Sequence, residues 1–157
     1  MTGEERKEYG MKVTQAGGSG LVVITYDIIA KYLDDAMAAL NKSDNAEYRR
    51  CLGLARAFLA ELTGALDMQY EVSKKLMALY IFMNKVIVRA DITKDVTELV
   101  RIKEMLSKLR EAFARVCEEC PQEPVMDNVE TVYTGYTYSK TAMNEEIYSN
   151  TNRGFTV

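Results

Sequence analysis

Residues 66–90 read LDMQYEVSKKLMALYIFMNKVIVRA, and this segment is the most informative part of the chain. Apolar residues recur in it at spacings of three and four, which is one face of an α-helix: they are Leu76, Leu79, Met83, Val86 and Ala90. Other apolar side chains, among them Met77, Ile81 and Phe82, widen this face well beyond a single stripe. A helix this apolar is buried on most sides or faces a partner. The pattern alone leaves both options open.

The composition indicates one globular domain. The chain has 157 residues, of which 48% are apolar and 27% charged, enough for one hydrophobic core. The net charge is −3 and no basic stripe occurs, so we expect no nucleic-acid partner. The uncharged stretch that includes residues 14–26 is too short and too polar to cross a bilayer, so we expect no membrane insertion. The absence of a signal segment and the odd number of cysteines predict a cytoplasmic protein.

Histidine is absent from the chain. This removes the commonest general base and the commonest metal ligand together. We therefore expect no catalysis, no cofactor and no small-molecule substrate. A carboxylate metalloenzyme is kept as an alternative that bound iron or manganese would reveal.

Two short motifs are interpreted as structural. Cys117 and Cys120 have the spacing of half a zinc site, but no second pair exists to complete it. Packing beside the apolar stripe explains at least Cys120. Residues 17–20, GGSG, precede a helix as in phosphate-binding loops, but they follow no strand and lack the P-loop lysine. A flexible hinge is the better interpretation of this loop.

Four helical segments separated by short polar breaks predict an all-α fold. The expected helices cover about residues 19–41, 44–67, 70–90 and 94–120. Polar residues at the breaks are candidate N-caps: Ser19, Ser43 or Asp44, and Thr93 or Asp95. The matched lengths and short connections predict an antiparallel, up-down-up-down four-helix bundle.

Two further segments flank this bundle. A short N-terminal arm precedes it, and we expect the arm and the bundle to form one unit, residues 1–120. The helical pattern stops at Pro121. Residues 121–157 are therefore predicted to be an irregular C-terminal tail that is flexible or extended.

The chain is rich in methionine and tyrosine, with nine and ten residues respectively. Methionine suits adaptable binding surfaces, and tyrosine suits interfaces with one wet edge. Any single residue of this set is better explained by core packing. The set as a whole favours a long apolar groove that receives a partner helix.

Several short motifs occur in a fixed order along the helical part. The first helix contains LVVITYD at 21–27, the second ends in LD at 66–67, and the third contains L-x-x-L-Y at 76–80. Before the bundle come Tyr9 and VTQA at 13–16. In order and spacing, over about residues 9–116, these features resemble the flagellar secretion chaperones of the FliS type. The family's usual Ser-Pro-Glu-Glu cap is replaced here by residues 17–20, which predicts a weaker cap and a looser arm.

The resemblance implies a cytoplasmic chaperone that binds the disordered C-terminal segment of flagellin. Such a chaperone prevents premature polymerisation and delivers flagellin for flagellar type III export, with the export gate as a second candidate partner. The resemblance also implies that an arm containing Tyr9 covers the groove until flagellin displaces it. The alternative is a four-helix-bundle adaptor that binds another amphipathic helix and has no role in export.

Seven residues are predicted to contact the partner. Tyr26, Leu79 and Tyr80 occupy positions that match the family's motifs, and the others follow from helical phase or from the implied arm. The full set is Tyr9, Val22, Tyr26, Leu76, Leu79, Tyr80 and Met83.

Overall fold

The computed structural model describes residues 1–125, which contain five α-helices and no strand. The helices are α1 (Gly3–Gln15), α2 (Gly18–Asn41), α3 (Asn45–Gly64), α4 (Glu71–Thr93) and α5 (Val96–Glu119). The predicted all-α class is confirmed for this range. Residues 121–125 follow α5 without regular secondary structure, and the rest of the predicted tail lies outside the described residues. Within residues 1–125, no helix has the length and apolar character needed to cross a membrane.

The segment predicted to be a short arm contains a helix, α1. Thr2 is its N-cap, and the Thr2 hydroxyl accepts a hydrogen bond from the Glu5 N–H at 3.2 Å. The Glu5 carboxylate accepts in return from the Thr2 N–H at 2.7 Å, which completes a capping box. The T-x-x-E pattern is visible in the sequence. However, α1 has no apolar stripe, so periodicity did not indicate a helix here.

The caps of the other helices match the sequence in part. Asp44 and Asp95, each one of two predicted candidates, cap α3 and α5 and accept from backbone N–H groups at 3.0 and 2.9 Å. The prediction for Ser19 is wrong, because Gly17 occupies the N-cap position of α2 and has no side chain to accept a hydrogen bond. The Ser19 N–H instead donates to the side-chain oxygen of Gln122, at 3.0 Å. The start of α2 is therefore capped by a residue that follows α5.

Two helix ends also differ from the prediction. α3 stops at Gly64 instead of residue 67, since the Asp67 carboxylate accepts from the Gln69 N–H at 3.0 Å and stabilises a local turn. α4 continues to Thr93, beyond the predicted residue 90, and ends where Lys94 adopts a left-handed conformation with φ of 60°.

Helices α2 to α5 pack in a ring, in which α2 and α4 each contact both α3 and α5, while α1 packs on α2. Ion pairs from α2 to α5 join Asp27 to Arg110 and Asp34 to Lys103. The partners run in opposite order along the two helices, so α2 and α5 are antiparallel. The contacts of α3 with α4 have the same reversed order, from Tyr48 to Ala90 and from Arg56 to Asn84.

Two buried tyrosines join α2 to α4 through the core of this ring. Tyr26 of α2 and Tyr80 of α4 are 1% and 2% exposed, and their hydroxyl groups hydrogen bond to each other. The ring of Phe113 in α5 packs edge-on against Tyr26, with 5.8 Å between ring centroids. Burial raises the pKa of both hydroxyls, so both stay protonated at neutral pH. Among the described residues, every buried side-chain polar atom has a hydrogen-bond partner.

The hydroxyl pair predicts a non-additive effect on stability. Tyr26→Phe leaves the Tyr80 hydroxyl buried and unpaired, so we expect the free energy of unfolding to fall by about 1–3 kcal/mol. Tyr80→Phe should have a similar effect. The double variant should lose clearly less than the sum of the two, because neither unpaired group remains. Urea unfolding measures the free energy of unfolding of the two single variants and of the double variant. Tyr70→Phe, at a position that is 62% exposed, is the control. Additive losses would contradict this account of the pair.

Candidate partner-binding grooves

An apolar groove of about 570 Å³ lies beneath α1 and is referred to here as the α1 groove. On the bundle side, α2 contributes Ile28 and Tyr32, and α3 contributes Leu54 and Phe58. The rings of Tyr32 and Phe58 stack with 6.0 Å between centroids. The remaining lining residues are Met1, Arg6, Tyr9, Gly10 and Val13 from the N-terminal segment, and Arg50. The groove is therefore an apolar surface of the bundle that α1 partly covers.

α1 is held on the bundle without a single buried residue. Tyr9 is half-buried against the edge of the core. The Lys31 ammonium lies 2.9 Å from the Glu5 carboxylate and 3.4 Å from that of Asp35, which also contacts the amino group of Met1. The side chains of Lys31 and Glu5 are about one-third exposed, and partly solvated ion pairs contribute little free energy. The Met1 side chain before α1 is 4% exposed, so the N-terminal segment is held by this contact, by a few polar contacts of α1 and by the half-buried Tyr9.

Titration of the α1 contacts follows from this geometry. The hydrogen bond from Lys31 lowers the pKa of Glu5 below its ordinary value of 4.5, and the Thr2 N–H adds to this. The same contact raises the pKa of Lys31. Partial burial raises the pKa of Tyr9, and the nearby Asp27 carboxylate acts in the same direction. At neutral pH, Glu5 and Lys31 are therefore charged and Tyr9 is neutral.

A second groove, of about 780 Å³, lies between α3 and α4 and is referred to here as the α3–α4 groove. Small residues of α3 leave it open: they are Gly53, Ala57, Ala60 and Gly64. Met77 and Ile81 supply its apolar wall on α4, while Arg56 and Lys85 are its charged lining residues. Ile81 is 44% exposed, and its neighbour Phe82 is 51% exposed. The broad apolar surface of α4 therefore has two parts, one in the core and one facing outward.

Sequence comparison identifies the family. A family model described as flagellar protein FliS matches residues 2–120. The chain belongs to the FliS family. The resemblance seen in the sequence motifs is confirmed, and the matched region of this FliS-family protein contains all five described helices. No curated protein matches the chain. Membership in the family implies a role as a flagellar export chaperone.

Three of the seven residues predicted as partner contacts lie in the core of this FliS-family protein. Tyr26, Tyr80 and Met83 are at most 2% exposed in this conformation, and their role as partner contacts stays a prediction. Tyr80 only reaches the floor of the α3–α4 groove. The sequence could not show that these three residues are buried, because a three-four spacing identifies an apolar face but does not show which helices cover it.

The other four residues are half-buried. Val22, Leu76 and Leu79 pack against the edge of the core and line neither groove. Tyr9 lines the α1 groove and belongs to the helix that covers it. As contacts of a partner, all four stay predictions.

Sequence reasoning missed the residues that form the floor of the α1 groove. Tyr32 of α2 is 5% exposed and stacks on the half-buried Phe58 of α3, and the half-buried Leu54 completes this floor. Phe58 was visible in the apolar pattern of its helix, but the stacking with Tyr32 depends on how two helices are aligned. The signal for the α3–α4 groove was clearer, since small residues recur on one face of α3 at positions 53, 57, 60 and 64.

The cysteines do not form a site in the described part of the chain. Cys51 is buried, and burial raises the pKa of its thiol to about 11. Cys120 is exposed, so the interpretation that it packs in the core is wrong. The last turn of α5 is largely uncovered, since Val116 is 46% exposed and Glu118 and Glu119 are exposed as well. Within residues 1–125, no group of three or more acidic or Cys side chains is placed to hold a metal ion.

The Glu5–Lys31 contact predicts that acid releases α1. The folded-state pKa of Glu5 lies below 4.5, so its contribution is complete above pH 4.5 and is lost as the pH falls through the lowered value. Amide hydrogen exchange of α1 should therefore accelerate relative to α3 below about pH 4.5.

Glu5→Gln is the matched variant for this experiment. Glutamine can still complete the capping box but cannot form the ion pair. The variant should show little of the acid-dependent change in α1. An identical pH profile in both proteins would contradict the role of Glu5.

Proposed function

We propose that this FliS-family protein is a cytoplasmic chaperone that binds the disordered C-terminal segment of flagellin, prevents its premature polymerisation and delivers it for flagellar type III export. One observation carries the proposal: an apolar groove lies beneath a helix that has no buried residue. In this proposal, residues 1–120 form the chaperone unit. The ring of α2 to α5 is an antiparallel four-helix bundle, and α1 is the arm that a partner displaces.

The size of the available surface supports a disordered partner. A segment that folds on binding loses conformational entropy, and it typically buries roughly 1,000–3,000 Å² to offset that loss. The α1 groove alone is too small for this. The α3–α4 groove supplies additional area on the same helix. Leu54 and Phe58 of α3 line the α1 groove, and Ala57 and Ala60 of α3 line the α3–α4 groove. A segment that crosses α3 therefore contacts both grooves in a continuous path.

The weak attachment of α1 supports displacement. A cover that buried large side chains would add its full docking energy to the cost of loading. α1 itself rests on partly solvated ion pairs and on Tyr9, while the Met1 side chain that precedes it is 4% exposed. A partner that replaces α1 therefore has to displace few buried contacts, chiefly that of Met1. Between loadings, α1 reduces the exposed apolar area, which limits self-association.

The proposed chaperone role requires binding alone and no catalysed reaction. Covering the apolar faces of flagellin's terminal segment keeps those faces from other flagellin molecules, so polymerisation is blocked by occupancy alone. The flagellar export gate is proposed as the second partner, and release there completes delivery. An adaptor for another amphipathic helix would use the same grooves, and binding to flagellin separates the two functions.

Calorimetry with a synthetic flagellin C-terminal segment tests the proposal. We expect dissociation constants in the micromolar range or tighter and a negative heat-capacity change, because apolar area is buried. Leu54→Arg places a charge in the α1 groove and should weaken binding at least tenfold. Ile92→Arg, at a position that is 79% exposed, adds the same charge on a solvated surface and should bind like the wild type.

Two results would contradict this proposal in different ways. An absence of heat and of co-migration at micromolar concentration would exclude flagellin and favour the adaptor. Normal binding by Leu54→Arg together with lost binding by Ile81→Arg would move the site from the α1 groove to the α3–α4 groove.

A further inference from the structure

The residues that follow α5 lie across the connection between α1 and α2. The Val125 N–H donates to the carbonyl oxygen of Ala16, the C-cap residue of α1, at 3.2 Å. The Gln122 side chain accepts from the Ser19 N–H in the first turn of α2, at 3.0 Å. One short segment thus bonds to the end of one helix and to the start of the next.

Gly17 shows how closely this segment approaches the connection. A Cβ atom at Gly17 would lie 2.7 Å from both the Cβ and the carbonyl oxygen of Gln122. The φ of Gly17 is −74°, a value that any residue adopts, so the backbone conformation does not require glycine here. The close approach of Gln122 requires it instead.

We propose that residues 121–125 form a strap that holds the α1–α2 connection and thereby sets how readily α1 leaves the bundle. For α1 to swing away, the backbone must rotate at residues 16–18. Rotation there breaks the hydrogen bond of Val125 and separates Gln122 from both Gly17 and Ser19. α2 would then lose its N-terminal cap, since its own N-cap residue has no side chain. The strap therefore opposes release of α1 although it does not touch the α1 groove.

Hydrogen exchange of the full chain, without any partner, tests the strap. Gln122→Ala removes the capping side chain. Gly17→Ala displaces the strap by steric clash and changes no residue of the strap itself. Both should accelerate amide exchange across α1 by about fivefold, the size expected for the loss of one helix cap. Gln69→Ala is the control, because it removes the same side chain at an exposed position in the link between α3 and α4.

The pattern of exchange decides the outcome. Faster exchange in α1, with α3 and α4 unchanged, supports the strap. Faster exchange confined to the first turn of α2 would show that Gln122 is only a cap, and it would overturn the proposal. Unchanged exchange in both variants, or equal acceleration in all helices, would overturn it as well.

The consequence for loading rests on the proposed function and is measured separately. If flagellin displaces α1, then both strap variants should bind the flagellin segment about fivefold more tightly than the wild type, because opening costs less. Loosened α1 with unchanged affinity would refute displacement of α1 as the loading step while supporting the strap. Unchanged exchange would refute the strap whatever the affinity.

Discussion

The contact between α1 and α2 is the constraint on which the proposed function depends. It joins a polar helix to a complete bundle, and none of the α1 residues is buried. A more apolar α1 would become a fixed part of the core, and the α1 groove would no longer be available. Without α1, Leu54 and Phe58 would face water and favour self-association. The polar Glu5–Lys31 contact keeps α1 between these two extremes.

The tyrosine pair in the core fixes the position of α4 relative to α2. The hydroxyls of Tyr26 and Tyr80 satisfy each other across the ring, far from water. Sliding α4 by one turn would leave two buried hydroxyls unpaired, at a cost of about 1–3 kcal/mol each. The pair therefore stabilises one alignment of the helices. That alignment places the small residues of α3 opposite Ile81, and it keeps the α3–α4 groove open.

Local signals in the sequence predicted the all-α class and most helix boundaries. Asp44 and Asp95 are caps whose effect depends only on the next few residues, so the sequence was sufficient there. The cap of α2 was not predictable, because its acceptor, Gln122, lies 103 residues away along the chain. Contacts between distant parts of the chain also limited the prediction of the partner-binding residues. Periodicity marked Tyr80 and Met83 as apolar, but only the packing of three other helices shows that they are core.

The two ends of the bundle are built differently. At one end, the Tyr48 hydroxyl donates to the Ala90 carbonyl at 2.8 Å, and the Lys94 ammonium lies 4.3 Å from the Tyr48 ring centroid. Short connections, residues 42–44 and 94–95, close this end. The opposite end contains the glycine connection before α2 and the longer link at residues 65–70. Longer and glycine-containing connections restrain the backbone less, so we expect the glycine end to open before the end at Tyr48.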